Sequence, residues 1–137
     1  MDKLKSDLLE SYAKQWAESF IHPKRPQDKR FQNPKLTSAQ LRRFHNDIRS
    51  LEAKVLAGEN MGNDGKENFT RYLPLVKMVK SKVAYACPAN GRDRKVPEEF
   101  RNFIEIMIDS IGDLKDFRAF SMCFEAVVGY FYGEGGR

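Results

Sequence analysis

A chain of 137 residues, 41% hydrophobic and 12% aromatic, is long enough to bury one core and too short for two. Lys and Arg number 24 against 19 Asp and Glu, a formal net charge of +5 that suits a polyanionic partner without requiring one. No run approaches the roughly 18 apolar residues of a membrane span, and the opening MDKLKSDLLE lacks the apolar segment of a signal peptide, so a soluble, cytoplasmic protein with no membrane partner is expected.

From about Ser6 to Ile21, Leu8, Leu9, Tyr12, Trp16, Ala17 and Phe20 recur at three and four residues and predict an amphipathic helix that Pro23 ends. Trp16 falls on its apolar face, where packing is the expected role. Between His22 and Lys35 lie Lys24, Arg25, Lys29, Arg30 and Lys35 against Asp28 alone. The three prolines of this stretch forbid a continuous helix, so it reads as a basic, irregular connector.

Thr37 and Gln40 have capping-box spacing and open a second helix, whose stripe Leu41, Phe44, Ile48, Leu51 and Val55 faces the core and which Gly58 is expected to stop. Arg42, His45 and Arg49 fall along one flank of that stripe, Arg43 and Lys54 along the other. A solvated helix edge is the plain reading of these cations, and His45 has no partner within helical reach for metal binding or proton transfer. Gly58 to Lys66 is a loop by composition.

A third helix is predicted from about Glu67 to Ala86, with Phe69, Tyr72, Leu73, Val76, Val79 and Val83 inward. Pro74 marks a break or kink, placing the regular start near Leu73. Met78, Lys82 and Tyr85 share the opposite face, with Lys77 and Lys80 to one side; a tyrosine among lysines suits either base stacking or a second packing surface. Cys87 to Lys95 reads as a flexible basic loop holding Arg92, Arg94 and Lys95. Cys87 and Cys123 have neither CxxC spacing nor a neighbouring histidine, so neither a metal site nor a disulfide framework is indicated.

Pro97 suits the first position of a fourth helix that buries Phe100, Phe103, Ile104, Met107, Ile108 and Ile111, with Glu98 and Glu99 at its positive end. Gly112 leads directly into a fifth helix capped by Asp113, and so short a connection predicts an antiparallel hairpin of the two. Leu114, Phe117, Phe120, Phe124, Val127, Val128 and Phe131 give the fifth helix a face made mostly of rings, and Gly133, Gly135 and Gly136 end it. The whole reads as an all-α, compact helical bundle of about five helices. A single domain over 1–137 is expected, its N-terminal helix and connector (about 1–36) preceding a core of about 37–136.

The sequence has no phosphate loop, GxGxxG, HExxH or GxSxG motif, and only two histidines, His22 and His45. An enzyme is therefore not expected, and neither is a cofactor. Glu125, the carboxylate beside the aromatic stripe, is expected to make an interhelical salt bridge or hydrogen bond.

Three segments together resemble the small subunit of the type III-A CRISPR effector, the Csm complex. Thr37-Ser38-Ala39-Gln40-Leu41-Arg42-Arg43-Phe44 is similar to that family's Ser-x-x-Gln-Leu-Arg-x-Phe/Tyr helix start. Lys82-Val83-Ala84-Tyr85-Ala86 is similar to its Lys-x-Ala-Tyr-Ala helix end, here followed by Arg92 and Arg94. Phe117-Arg118-Ala119-Phe120 with Phe124-Glu125-Ala126-Val127-Val128-Gly129-Tyr130-Phe131 is similar to its closing Phe-Glu-Ala signature, with Gly129 where alanine is more usual. The resemblance covers about Thr37 to Gly136, and the region before it carries no matching motif.

The resemblance implies a helical, non-catalytic subunit present in several copies, stacked head to tail along a crRNA-bound filament with the other subunits of the complex. Such a subunit holds crRNA and target RNA in a basic channel, while cleavage belongs to other subunits. On this reading Arg42, Arg49, Lys77, Lys80, Lys82, Arg92, Arg94 and Lys95 are expected to form one connected RNA-facing surface, with Tyr85 stacking on a base. The glycine-containing loops flanking the third helix further suggest hinges, so the isolated protein is expected to be at least partly dimeric. A helical adaptor that binds only protein is the alternative, and a small DNA-binding protein lacks a helix-turn-helix signature to support it.

Overall fold

The computed structural model describes residues 3–60 and 66–137, with side chains over 9–57 and 67–137. It consists of α1 (Lys3–Ile21), α2 (Ser38–Asn60), α3 (Lys66–Ala86), α4 (Glu98–Asp109) and α5 (Leu114–Gly133), with no strand among the described residues. The apolar stripes read from the sequence are the faces that turn inward, and buried residues from all five helices form one cluster. α1 packs on α5 and α4, α2 on α3 and α5, and α3 on α4.

Rings connect these layers. Trp16 of α1 lies 5.3 Å from Phe103 of α4, Phe103 5.9 Å from Phe124 of α5, and Phe117 6.2 Å from Phe69 of α3. Phe44 of α2 meets Phe100 edge to face at 5.0 Å, and Phe100 meets Phe20 of α1 at 5.2 Å. Trp16 is thus a packing residue, as its place on the apolar face predicts.

α4 and α5, joined by the short 110–113 turn, meet through Phe103 and Phe124, both fully buried with ring centroids 5.9 Å apart. α1 packs against both helices.

α3 begins at Lys66, one residue before the Glu67 expected, and runs through Pro74 without the break expected there. Phe69, buried against Phe117, ties the early turns down, so packing outweighs the missing proline donor, and Pro74 itself lies on the exposed side. α2 continues past Gly58 to Asn60, since one glycine near a helix end costs only about 1 kcal/mol. The remainder of the expected Gly58–Lys66 loop, 61–65, lies outside the described residues.

The helix starts follow local chemistry. Thr37 and Gln40 form the capping box: the Gln40 amide N–H donates to Thr37 Oγ1 at 3.2 Å and the Thr37 N–H donates to Gln40 Oε1 at 2.9 Å. Asp113 caps α5 by accepting from the Asp116 N–H at 2.8 Å. Pro97 occupies the cap position of α4, one residue before the place expected, and has no side-chain acceptor to offer. Asn33 of the connector supplies one instead, its Oδ1 accepting from the Glu98 N–H at 2.7 Å.

That bond is part of a clasp. Asn33 Nδ2 donates to Glu99 Oε1 at 2.8 Å and to the Lys24 carbonyl at 2.9 Å, while the Lys24 N–H donates to Glu99 Oε2 at 2.7 Å. The connector therefore lies against the start of α4. The Cys87–Lys95 loop, expected to be flexible, is also tied: Gln32 N–H donates to the Gly91 carbonyl, Lys95 N–H to that of Ala86, and the Arg101 guanidinium to that of Cys87. These bonds tie the loop to the connector and to α4.

Two consequences are measurable. Phe124→Ala, at a fully buried ring between Phe103 and Phe120, is expected to cost about 3–5 kcal/mol in denaturant unfolding. Asn33→Ala removes a cap supplied from a distant segment and is expected to cost about 1–2 kcal/mol in the same assay.

Candidate nucleic-acid interface

The antiparallel register of α2 and α3 organises the exposed cations. Lys82 Nζ lies 3.3 Å from Asp47 Oδ2, and Asn68 Nδ2 donates to the Lys54 carbonyl at 3.1 Å. Position 47 therefore faces 82, and one turn earlier on the same flank of α2 stands Arg43, beside the last turn of α3 with Tyr85. Gln40 Nε2 donates to the Lys95 carbonyl at 2.6 Å, while the Lys95 N–H donates to the Ala86 carbonyl at 2.8 Å. Arg43, Lys82, Tyr85 and Lys95 are brought to one end of the bundle by these contacts.

Tyr85 is 82% exposed. Its ring has not been used to plug a packing surface within the chain. Arg43 and Lys95 are exposed, and neither side chain has a hydrogen-bond or ion-pair partner among the described residues. An exposed ring at the same end as unpartnered cations has a stacking face and phosphate-binding charge to offer one partner.

The other predicted residues go elsewhere. Lys77 donates to the Ile108 carbonyl at 3.1 Å and Lys80 pairs with the Asp109 carboxylate, so both sit over the C-terminal end of α4, where cations complement the helix dipole. Arg49 approaches Glu125 of α5 at 4.0 Å, on the flank away from Lys82, and Arg42 is exposed on that same flank. Arg92 is exposed in the loop, its N–H bonded to Asn90 Oδ1 at 2.9 Å. The Arg94 side chain is only 7% exposed: Nε donates to the Pro88 carbonyl at 2.9 Å, Nη1 to that of Gln32 at 3.2 Å, and Glu98 lies 3.7 Å away. Arg94 thus holds the loop to the connector.

The nine residues do not share one face. Lys82, Tyr85 and Lys95 come together. Arg43 joins them although helical angle alone separates it from Arg42 and Arg49; the signal that finds it is the register of α2 on α3, which sequence spacing within α2 does not contain.

Elsewhere the polar chemistry is structural. His45, stacked on Phe124 at 5.8 Å, has Nε2 3.0 Å from Glu125 Oε1, the interhelical contact expected of that carboxylate. Ser121 Oγ donates to Glu52 across the same α2–α5 seam. Burial pushes the Cys87 thiol above its ordinary range and that of Cys123 up to about 11, so both thiols stay protonated near neutrality. Among the described residues no group of three or more His, Cys, Asp or Glu side chains is arranged to hold a metal ion, and no helix is long and apolar enough to cross a membrane.

Compared with known families, residues 3–136 match Csm2 Type III-A. The match reaches well before Thr37, so α1 and the connector, which carry no motif legible by eye, lie within the family's span. No curated protein and no solved structure matches the chain. With the match spanning all five helices, the chain belongs to the Csm2 Type III-A family and is a small subunit of the type III-A CRISPR effector complex.

Proposed function

We propose that this protein, acting as one helical domain over 1–137, is a non-catalytic RNA-binding subunit that stacks head to tail in several copies and helps hold crRNA and target RNA in a basic channel. The observation that carries the reading is the Tyr85 ring, 82% exposed at the end of α3 with Arg43, Lys82 and Lys95 around it. Such a ring has no role in the fold of the isolated chain. Its chemistry suits a partner that presents unstacked bases and phosphates together.

Arg42 and Arg92, exposed elsewhere on the surface, add positive charge, while Lys77, Lys80 and Arg49 are engaged within the fold and Arg94 holds the loop in place. Sequence need not be read by the protein, because a guide supplies it by base pairing. The cations then act through phosphate charge, a contribution that weakens as salt rises.

The test is a titration of single-stranded RNA over a range of salt concentrations with the purified full chain. Arg43→Ala combined with Lys95→Ala is expected to weaken binding and reduce the salt slope by about 1.4, roughly 0.7 for each phosphate no longer neutralised. Tyr85→Ala is expected to reduce affinity about fivefold or more with little change in melting temperature, because its ring buries almost nothing within the chain. If affinity and slope are unchanged in both variants, the protein-only adaptor reading replaces this one. Stacking predicts that scattering shows particles larger than a monomer as protein concentration rises; a monomer at every concentration counts against association outside the complex.

A further inference from the structure

The connector holds a second exposed ring. Phe31 is 44% exposed, and its inner side rests on Gly91 of the Cys87–Lys95 loop so closely that a Cβ at position 91 would stand 2.5 Å from the ring. Gly91 has φ +79, so side chains are doubly disfavoured there. The Phe31 N–H donates to the Asp28 carbonyl at 3.0 Å and the Gln32 N–H to that of Gly91 at 2.7 Å. The ring is therefore held from its backbone on both sides, with the loop beneath it.

Beside it opens a groove of about 590 Å³, lined by Lys24, Arg25, Pro26, Phe31, Arg94 and Glu99 among others. The acids of this region are mostly engaged. Asp28 is bound by Arg30 at 2.8 Å, a contact that holds its carboxyl below the ordinary range. Glu99 accepts from the Lys24 N–H and from Asn33, and Glu98 faces Arg94. The side chains of Lys24, Arg25, Lys29 and Arg92 have no hydrogen-bond or ion-pair partner among the described residues; of the acids, Asp93 at the loop is similarly placed. Positive charge thus exceeds negative around an exposed ring, the combination found at Tyr85. The Cys87–Lys95 loop joins the two, since Lys95 is bonded to the Ala86 carbonyl at one end and Gly91 lies under Phe31.

We propose that Phe31, with Arg25, Lys29 and Arg92, forms a second contact site for single-stranded RNA, in which an unpaired base stacks on the Phe31 ring and flanking phosphates meet the three cations. It rests on the RNA-binding reading above and extends it from the end of α3 across the loop to the connector. A purely structural Phe31 needs an apolar cover for Gly91 but not an aromatic plane, and this difference makes the two roles separable.

The experiment measures anisotropy of a labelled single-stranded oligouridine, and of an RNA duplex of equal length, with the full chain over a range of salt concentrations. Phe31→Leu, which keeps an apolar cover, is expected to bind the oligouridine about five- to twentyfold more weakly, with duplex affinity, salt slope and melting temperature unchanged. Phe31→Trp, which restores a ring, is expected to bind at least as tightly as the wild type. Arg25→Ala with Lys29→Ala is expected to lower the single-strand salt slope by about 1.4. If Phe31→Leu binds like the wild type while Tyr85→Ala binds weakly, the second site is overturned and the first stands. If neither substitution changes affinity, both fail. An equal loss for duplex and single strand also overturns the stacking proposal, because a duplex presents no unstacked base along its length.

Discussion

Burial of one continuous series of rings is the constraint on which the rest of the protein depends. From Trp16 through Phe103, Phe124, Phe120 and Phe117 to Phe69, successive centroids are 5.3 to 6.4 Å apart, and the series passes through α1, α4, α5 and α3. Phe44 adds α2 through Phe100. Each such pair contributes about 0.5–1.5 kcal/mol beyond the area it removes from water, and orients its neighbours as smaller aliphatic side chains do not. The helices cannot slide without breaking several of these contacts at once. Their mutual register is therefore fixed, and with it the position of every exposed side chain.

The connector extends that order beyond the helices. Its prolines keep it from forming a helix, but Asn33 satisfies the start of α4, Leu36 buries its side chain, and the Leu36 N–H donates to the Phe20 carbonyl. Arg94 and Gly91 anchor the adjoining loop to it. A chain segment that carries mostly cations is in this way held as a surface, since its backbone groups are bonded inward while Lys24, Arg25 and Lys29 project outward.

Charge is distributed by the same packing. Lys77, Lys80 and Arg94 are used within the fold, against carbonyls and carboxylates at the ends of helices and loops. Arg49 shares Glu125 with His45 on the α2–α5 seam. Exposed pairs of this kind contribute little stability, about 0–1 kcal/mol, but they remove cations from the pool available to a polyanion. Arg43, Lys95, Arg25, Lys29 and Arg92 are exposed with no side-chain partner among the described residues, and the Tyr85 and Phe31 rings are exposed as well.

Much of this was legible in the sequence, because the periodicity of Leu41, Phe44, Ile48, Leu51 and Val55, or of Phe117, Phe120 and Phe124, states which face must leave water whatever it meets. The Thr37–Gln40 box and the Asp113 cap were equally readable, since a cap acts within one turn of chain. What lies between distant segments was not. The Asn33 cap of α4, the use of Arg94 as a brace and the insertion of α1 against both α4 and α5 join residues tens of positions apart. The candidate site divided along the same line. Tyr85 and its lysines could be placed on an outer helix face from spacing alone, yet the arrival of Arg43 beside them, and the departure of Lys77 and Lys80 toward α4, depended on how helices pair. A sequence fixes the angle of a side chain about its own helix; only the packed rings fix where one helix stands against another, and it is that second choice that decides which charges become neighbours.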